Sequence, residues 1–141
     1  MLKGYICNLE MGNDIMNKIA GRIADAELEV MRELWDASES VTVSKLRLAV
    51  VKKTGWDGST VKTLLYRLQK KGVVKVEKRE VFHYSPTITE EEYNKYSTKK
   101  MIDRLFHGSA KSLVASLVET NMLSDKDIDE LRRLFWEEKD E

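Results

Sequence analysis

The chain has 141 residues, 42% hydrophobic and 34% charged, enough for one small core with an appended element and too apolar for a disordered chain. No apolar run reaches the roughly 18 residues of a membrane helix, so no membrane insertion is expected, and the opening MLKGYICNLEMGNDI lacks the apolar region of a secretory signal. A single cysteine, Cys7, rules out an intramolecular disulfide and agrees with a cytoplasmic setting. Together with His83 and His107 it matches no metal-ligand spacing, so neither a metal nor a cofactor is expected.

The zero net charge conceals an asymmetry. Residues 16–86 carry 14 Lys and Arg against 9 Asp and Glu, whereas residues 87–141 carry 9 against 13. Within 45–79 there are 11 basic residues against only Asp57 and Glu77. A basic half and an acidic half point to two separate tasks.

In chain order, residues 1–22 read as an N-terminal extension. A first helix is expected over ADAELEVMRELW, with Ile23, Leu28, Met31, Leu34 and Trp35 as its apolar stripe. Ala24 is a candidate cap, with Glu27 three positions on but no capping hydroxyl, so half of a capping box is missing. A polar, turn-like ASESVT follows. Then comes a second helix in which Val43, Leu46 and Val50 repeat at helical spacing until Gly55 ends it. Asp57-Gly58 signals a turn, and Ser59 suits the cap of a third helix.

That third helix, GSTVKTLLYRLQKKGV, has two unlike faces. Val61, Leu64, Leu65 and Leu68 fall at i, i+3, i+4 and i+7, one buried face. Opposite stand Ser59, Thr60, Lys62, Thr63, Tyr66, Arg67 and Lys70, and no acidic residue occurs from Ser59 to Lys71. A solvated helix face usually mixes Glu with Lys, because such pairs support the helix. Hydroxyls and cations without carboxylates suit contact with a polyanion. Gly72 is placed for a left-handed ending with Val73 against Leu68, and Lys70 and Lys71 also complement the helix dipole.

Beyond Gly72 the period falls to two. Val74 and Val76 share one face, Phe82 and Tyr84 match it on a returning strand, Lys78-Arg79-Glu80 lies at the turn, and Pro86 ends the hairpin. Three helices and a two-stranded wing over 23–86 make a winged helix-turn-helix domain in a mainly α protein. Its third helix is expected in the major groove of double-stranded DNA. Lys62 and Arg67 are assigned to base edges or phosphates, Ser59 and Thr60 to phosphates, and Thr63 to a base. Lys70 completes that face, Lys78 and Arg79 are the wing cations, and Tyr66 divides evenly between packing and DNA contact.

Residues 87–141 form a three-helix region. Thr89 and Glu92 open its first helix in capping-box register, Ser109 its second, and Ser124 with Asp127 its third. Met101, Leu105, Phe106, Leu113, Val114, Leu117, Val118, Leu131 and Leu134 give these helices apolar stripes with little intrachain cover, which a closed homodimer would bury.

The stretches DAELEVMRELWD, STVKTLLYRLQKKGVV, FHYSP, GSAKSLVASLVE and LSDKDIDELRRLF, in order from Ile23 to Trp136, resemble the BlaI/MecI family of penicillinase repressors, a branch of which includes the CopY copper regulators. The resemblance implies a dimeric winged-helix repressor on a palindromic promoter operator, dimerised through its C-terminal helices. It also implies, as a partner, a membrane metalloprotease that senses β-lactam and triggers cleavage in the dimerisation region. The family's cut segment aligns with Leu113 to Leu117, placing the bond between Ser116 and Leu117 where relatives have Asn-Phe. The cysteine-rich tail of the copper branch is missing, so its metal sensing is not expected. The wing turn KREV lacks the Gly-Arg of many relatives, which leaves Arg79 as the wing cation.

Two other classes were weighed. A winged helix serving protein or RNA partners calls for an uncharged or acidic third helix, or for exposed aromatics that stack bases. An enzyme calls for a nucleophile–base arrangement or a phosphate loop, and neither pattern occurs.

Overall fold

The computed structural model describes residues 18–139; Cys7 and most of the expected N-terminal extension lie outside them. The elements are α1 (Asp25–Asp36), β1 (Val41–Thr42), α2 (Val43–Thr54), α3 (Gly58–Lys70), β2 (Val74–Lys78), β3 (Phe82–Pro86), α4 (Glu90–Leu105), α5 (Ala110–Glu119) and α6 (Asp125–Lys139). They fall into two compact units that divide within α4, after Ser97. Among the described residues no helix is long and apolar enough to cross a membrane.

In the first unit the expected stripes converge, except that α1 adds Val30 to its core and Ile23, Leu28 and Trp35 are only partly buried against it. Val30, Met31 and Leu34 of α1, Leu46 and Val50 of α2, and Val61, Leu64, Leu65 and Leu68 of α3 form one core with Val73, Val74 and Ile88. Each such side chain contributes roughly 1.5–3 kcal/mol by leaving water. Trp35 fastens the chain beyond the hairpin: its Nε1 donates to Ile88 O at 2.8 Å, and its ring lies 5.5 Å from that of Tyr93.

Helix ends follow the local chemistry, with one correction. Thr42 caps α2 by accepting from Lys45 N, and Gly55 closes it in the left-handed conformation with φ 75°. The cap of α3 is Asp57, whose Oδ1 accepts from Ser59 N at 3.2 Å, so the helix begins at Gly58 and Ser59 lies inside it. A carboxylate outcompetes a hydroxyl there because it also carries charge toward the positive end of the helix. At the other end Gly72 has φ 81°, Val73 N bonds Leu68 O at 3.0 Å and Gly72 N bonds Gln69 O at 3.1 Å, the two bonds of a Schellman ending.

The hairpin has the expected register, with Val76 opposite Tyr84 and Lys78 opposite Phe82. It is not two-stranded, however. Val41 and Thr42, read as part of a polar turn, pair with Tyr84 and His83, and the sheet runs β1-β3-β2. Two residues are too few for a period, but both are β-branched and suit a strand once β3 supplies the partner.

One buried ion pair joins the ends of the three-helix core. Glu27 is 2% exposed, and the Lys71 ammonium bonds both of its carboxylate oxygens, the longer contact being 3.0 Å. Lys71 Nζ also donates to Arg22 O at 2.9 Å, while Arg22 Nη1 donates back to Lys71 O at 3.1 Å. Glu27 further accepts from Ala24 N at 3.2 Å, the half of a capping box that alanine leaves open.

Thr89 Oγ1 accepts from Glu92 N at 3.1 Å ahead of α4, still within the first unit. In the second unit Ser109 Oγ accepts from Ser112 N at 3.1 Å, and Ser124 and Asp127 exchange two bonds of 3.1 Å. Beyond Ser97 no described residue is fully buried.

A carboxylate left alone in that core is costly. Lys71→Met is expected to lower unfolding free energy by roughly 2–4 kcal/mol, the lower part of the buried-pair range because Lys71 is itself partly exposed. Glu27→Gln together with Lys71→Met should recover part of the loss. Urea unfolding of the three proteins checks this, and a Lys71→Met midpoint equal to wild type would remove the pair from its structural role.

Candidate nucleic-acid interface

Helix α3 places its two faces as its spacing requires. Val61, Leu64, Leu65 and Leu68 are buried, and Ser59, Thr60, Lys62, Thr63, Tyr66, Arg67 and Lys70 are all exposed on the other side. Thr63 Oγ1 donates to Ser59 O at 3.0 Å, which orients its methyl and leaves the hydroxyl oxygen able to accept. Lys70 Nζ stands 5.1 Å from the centre of the Tyr66 ring, a cation–π contact that lays the lysine along the face. Tyr66 is 56% exposed, so it belongs to this surface and not to the core edge.

The folded chain sorts its cations. Lys71 is consumed by Glu27. Lys53 Nζ lies 2.5 Å from Glu33 and 3.9 Å from Asp36, and the hydrogen bond with Glu33 holds its pKa above the usual lysine value. Both are turned toward α1 carboxylates, Lys71 toward a buried one and Lys53 at the surface. Lys62, Arg67, Lys70 and Lys78 pair with no carboxylate among the described residues.

The wing behaves differently from its sequence. Arg79 is not free: its Nε and Nη2 reach Glu77 Oε1 and Oε2, both at 3.1 Å. This bidentate bond, then its charge, holds the Glu77 carboxyl below the usual carboxylate range. Glu77 and Arg79 are two residues apart near the wing tip, a spacing that puts side chains on one side of an extended chain. Tyr84 packs on the core, but its expected partner Phe82 is 50% exposed beside Val81 at 57%, beyond the reach of the core.

Sequence reasoning missed one basic residue near this face. Arg47 of α2 lies over Gly58, the first residue of α3, in a shallow groove with Ser44, Leu48 and Val51. A glycine heading a helix was the available sign.

The residues expected to cover a second copy are placed as follows. Leu105, Val114, Val118 and Leu134 are exposed, Met101 and Leu131 less so, and Phe106, Leu113 and Leu117 are half-buried. Ser116 and Leu117 sit inside α5, both half-buried. Among the described residues no group of three His, Cys, Asp or Glu is placed to hold a metal.

Comparison with known proteins identifies the relatives of this arrangement. A family model described as penicillinase repressor matches residues 23–137. The penicillinase repressor of Bacillus licheniformis is 35% identical over 125 residues, covering 88% of this chain and 96% of the relative. That of Staphylococcus aureus is 32% identical over 114 residues, covering 80% and 90%. Among solved structures, the DNA-binding domain of the repressor BlaI, determined in solution, is 40% identical and covers 51% of this chain and 88% of its own, with a TM-score of 0.47. The chain belongs to the penicillinase repressor family, whose members are DNA-binding regulators and not enzymes.

Proposed function

We propose that the chain is a dimeric transcriptional repressor that binds a palindromic operator through α3 and the wing. The observation that carries this reading is the exposed face of α3, which offers the hydroxyls of Ser59, Thr60, Thr63 and Tyr66 and three cations with no ion-paired carboxylate. In this reading Lys62 and Arg67 reach base edges, Ser59 and Thr60 take phosphates, Thr63 presents its methyl and hydroxyl, and Lys70 and Lys78 add phosphate contacts. Arg79 joins only after exchanging Glu77 for a phosphate.

The dimeric reading is supported by the second unit, which leaves Leu105, Val114, Val118 and Leu134 exposed and buries no described residue fully. A two-fold partner laid on these stripes removes that surface from water and sets two copies of α3 for two half-sites. Relief of repression by proteolysis between Ser116 and Leu117, triggered by a membrane metalloprotease, rests on the family. A cut there severs α5 before its last turn and releases α6.

Operator recovered from genomic fragments, titrated at several salt concentrations, tests the binding face. Log K should fall by about 0.9 per phosphate contact for each decade of salt. Lys62→Ala and Arg67→Ala should each cost about 1–3 kcal/mol and relax sequence choice, whereas Lys78→Ala should weaken all duplexes alike. Wing substitutions that alter preference while helix substitutions do not would reverse the two roles.

Glu77→Gln releases Arg79 from its intrachain partner. It should raise affinity for every duplex about equally and steepen the salt dependence by up to about 0.9 per wing. A lower affinity would show that Glu77 orients Arg79 productively and does not compete for it.

A chain ending at residue 116 should sediment largely as a monomer, retain the winged helix and bind operator at least roughly a hundredfold more weakly, because two linked half-sites share an effective concentration near millimolar. A dimer of full affinity would refute the dimerisation surface.

A further inference from the structure

We propose that Arg47 is an additional DNA-phosphate contact, seated by Gly58 beside the recognition face. The proposal deepens the operator-binding reading and rests on it.

Three observations meet at this position. Arg47 lies on α2 with Ser44, Leu48 and Val51, and these spacings of three, four and seven residues put all four on one side of the helix, facing the groove that Gly58 closes. Its guanidinium lies close over the first residue of α3: a Cβ at Gly58 would sit 2.8 Å from Nε and 2.9 Å from Cζ, with Nη2 nearer still. The backbone at Gly58 is not left-handed, so its geometry does not call for glycine, and glycine is a weak helix former. What glycine supplies is room for the guanidinium.

The guanidinium is left free to take a partner. Among the described residues no carboxylate pairs with Arg47 and it donates no hydrogen bond, although Asp57 caps the same helix nearby. Asp57 offsets part of the positive end of α3, but the guanidinium and the free N–H groups of the first turn both still attract an anion placed beside the exposed Ser59 and Thr60. The anion available to a protein that lays α3 in the major groove is a backbone phosphate, and a planar guanidinium accepts one through two parallel hydrogen bonds.

The test uses the full chain and a random-sequence duplex of roughly 30 base pairs, since a phosphate contact acts on every sequence. Arg47→Ala should weaken binding about eightfold per lost contact at about 0.1 M salt and lower the salt slope by about 0.9 per protomer. Gly58→Ala should do much the same with the charge intact, because its methyl displaces the guanidinium, and its thermal midpoint should equal or exceed that of wild type. The double substitution should bind no more weakly than Arg47→Ala alone, since both remove one contact. Arg47→Lys should fall between, keeping charge but losing the planar fit.

Unchanged binding by Arg47→Ala, alongside weakened Lys62→Ala and Arg67→Ala, would overturn the proposal and leave the recognition face standing. Weakened Arg47→Ala with unaffected Gly58→Ala would overturn the seat. Wild-type protein that shows no salt-dependent binding to duplex DNA would overturn this contact and the operator reading together.

Discussion

The constraint on which the first unit depends is the burial of one stripe of α3. Val61, Leu64, Leu65 and Leu68 are each at most 6% exposed, and α1, α2 and the residues after Gly72 all pack against them. Once that stripe faces inward, 3.6-residue periodicity forces Ser59, Lys62, Thr63, Tyr66, Arg67 and Lys70 outward. The chemistry of the exposed face is therefore free to serve a partner, since the stability of the helix is supplied from behind. The Schellman ending and the Lys71–Glu27 pair fix the far end of the same helix, so its face is presented by a rigid support and not by a loop.

Charge is divided by the same logic. Lys53 and Lys71 are drawn to α1 carboxylates, Lys71 to a buried one, and basic residues on the outer side of α3 stay unpaired. Arg79 lies between these cases, paired with Glu77 yet fully at the surface, where an ion pair is worth little and exchanges readily for another anion. Of the basic residues counted between 45 and 79, fewer are left unpaired than the sequence suggests, but those of α3 that are unpaired share one face. Screening limits each phosphate to cations within about 10 Å, so this local concentration matters more than the zero net charge of the chain.

Much of this was legible in the sequence because it depends on local periodicity. The α3 stripe, the Gly72 ending, the hairpin register and the capped starts of α4, α5 and α6 all follow from residues within a few positions of one another. The features that escaped depend on partners distant in the chain. Strand β1 exists only because β3 is beside it, and Lys71 finds Glu27 across 44 residues. The choice of Asp57 over Ser59 as cap was local but turned on one residue, the margin at which helix ends are hardest to place. The Glu77–Arg79 pair could have been read, since residues two apart in an extended segment share a face.

Gly58 shows why composition alone undervalues such positions. In sequence, Asp57-Gly58 reads as a turn signal and nothing more, and the glycine appears to serve backbone freedom. In the fold its φ is ordinary and its value lies in the side chain it lacks, because Arg47 occupies that space. A glycine of this kind records the position of another residue's side chain, here a cation from the preceding helix. The two helices of the motif thus meet at the surface, where Arg47 covers Gly58, as well as inside through Leu46, Val50, Val61 and Leu65. The apolar contact holds α2 and α3 together whether or not a partner is present. The surface contact leaves the guanidinium donors unspent, which is what the proposed phosphate contact draws on.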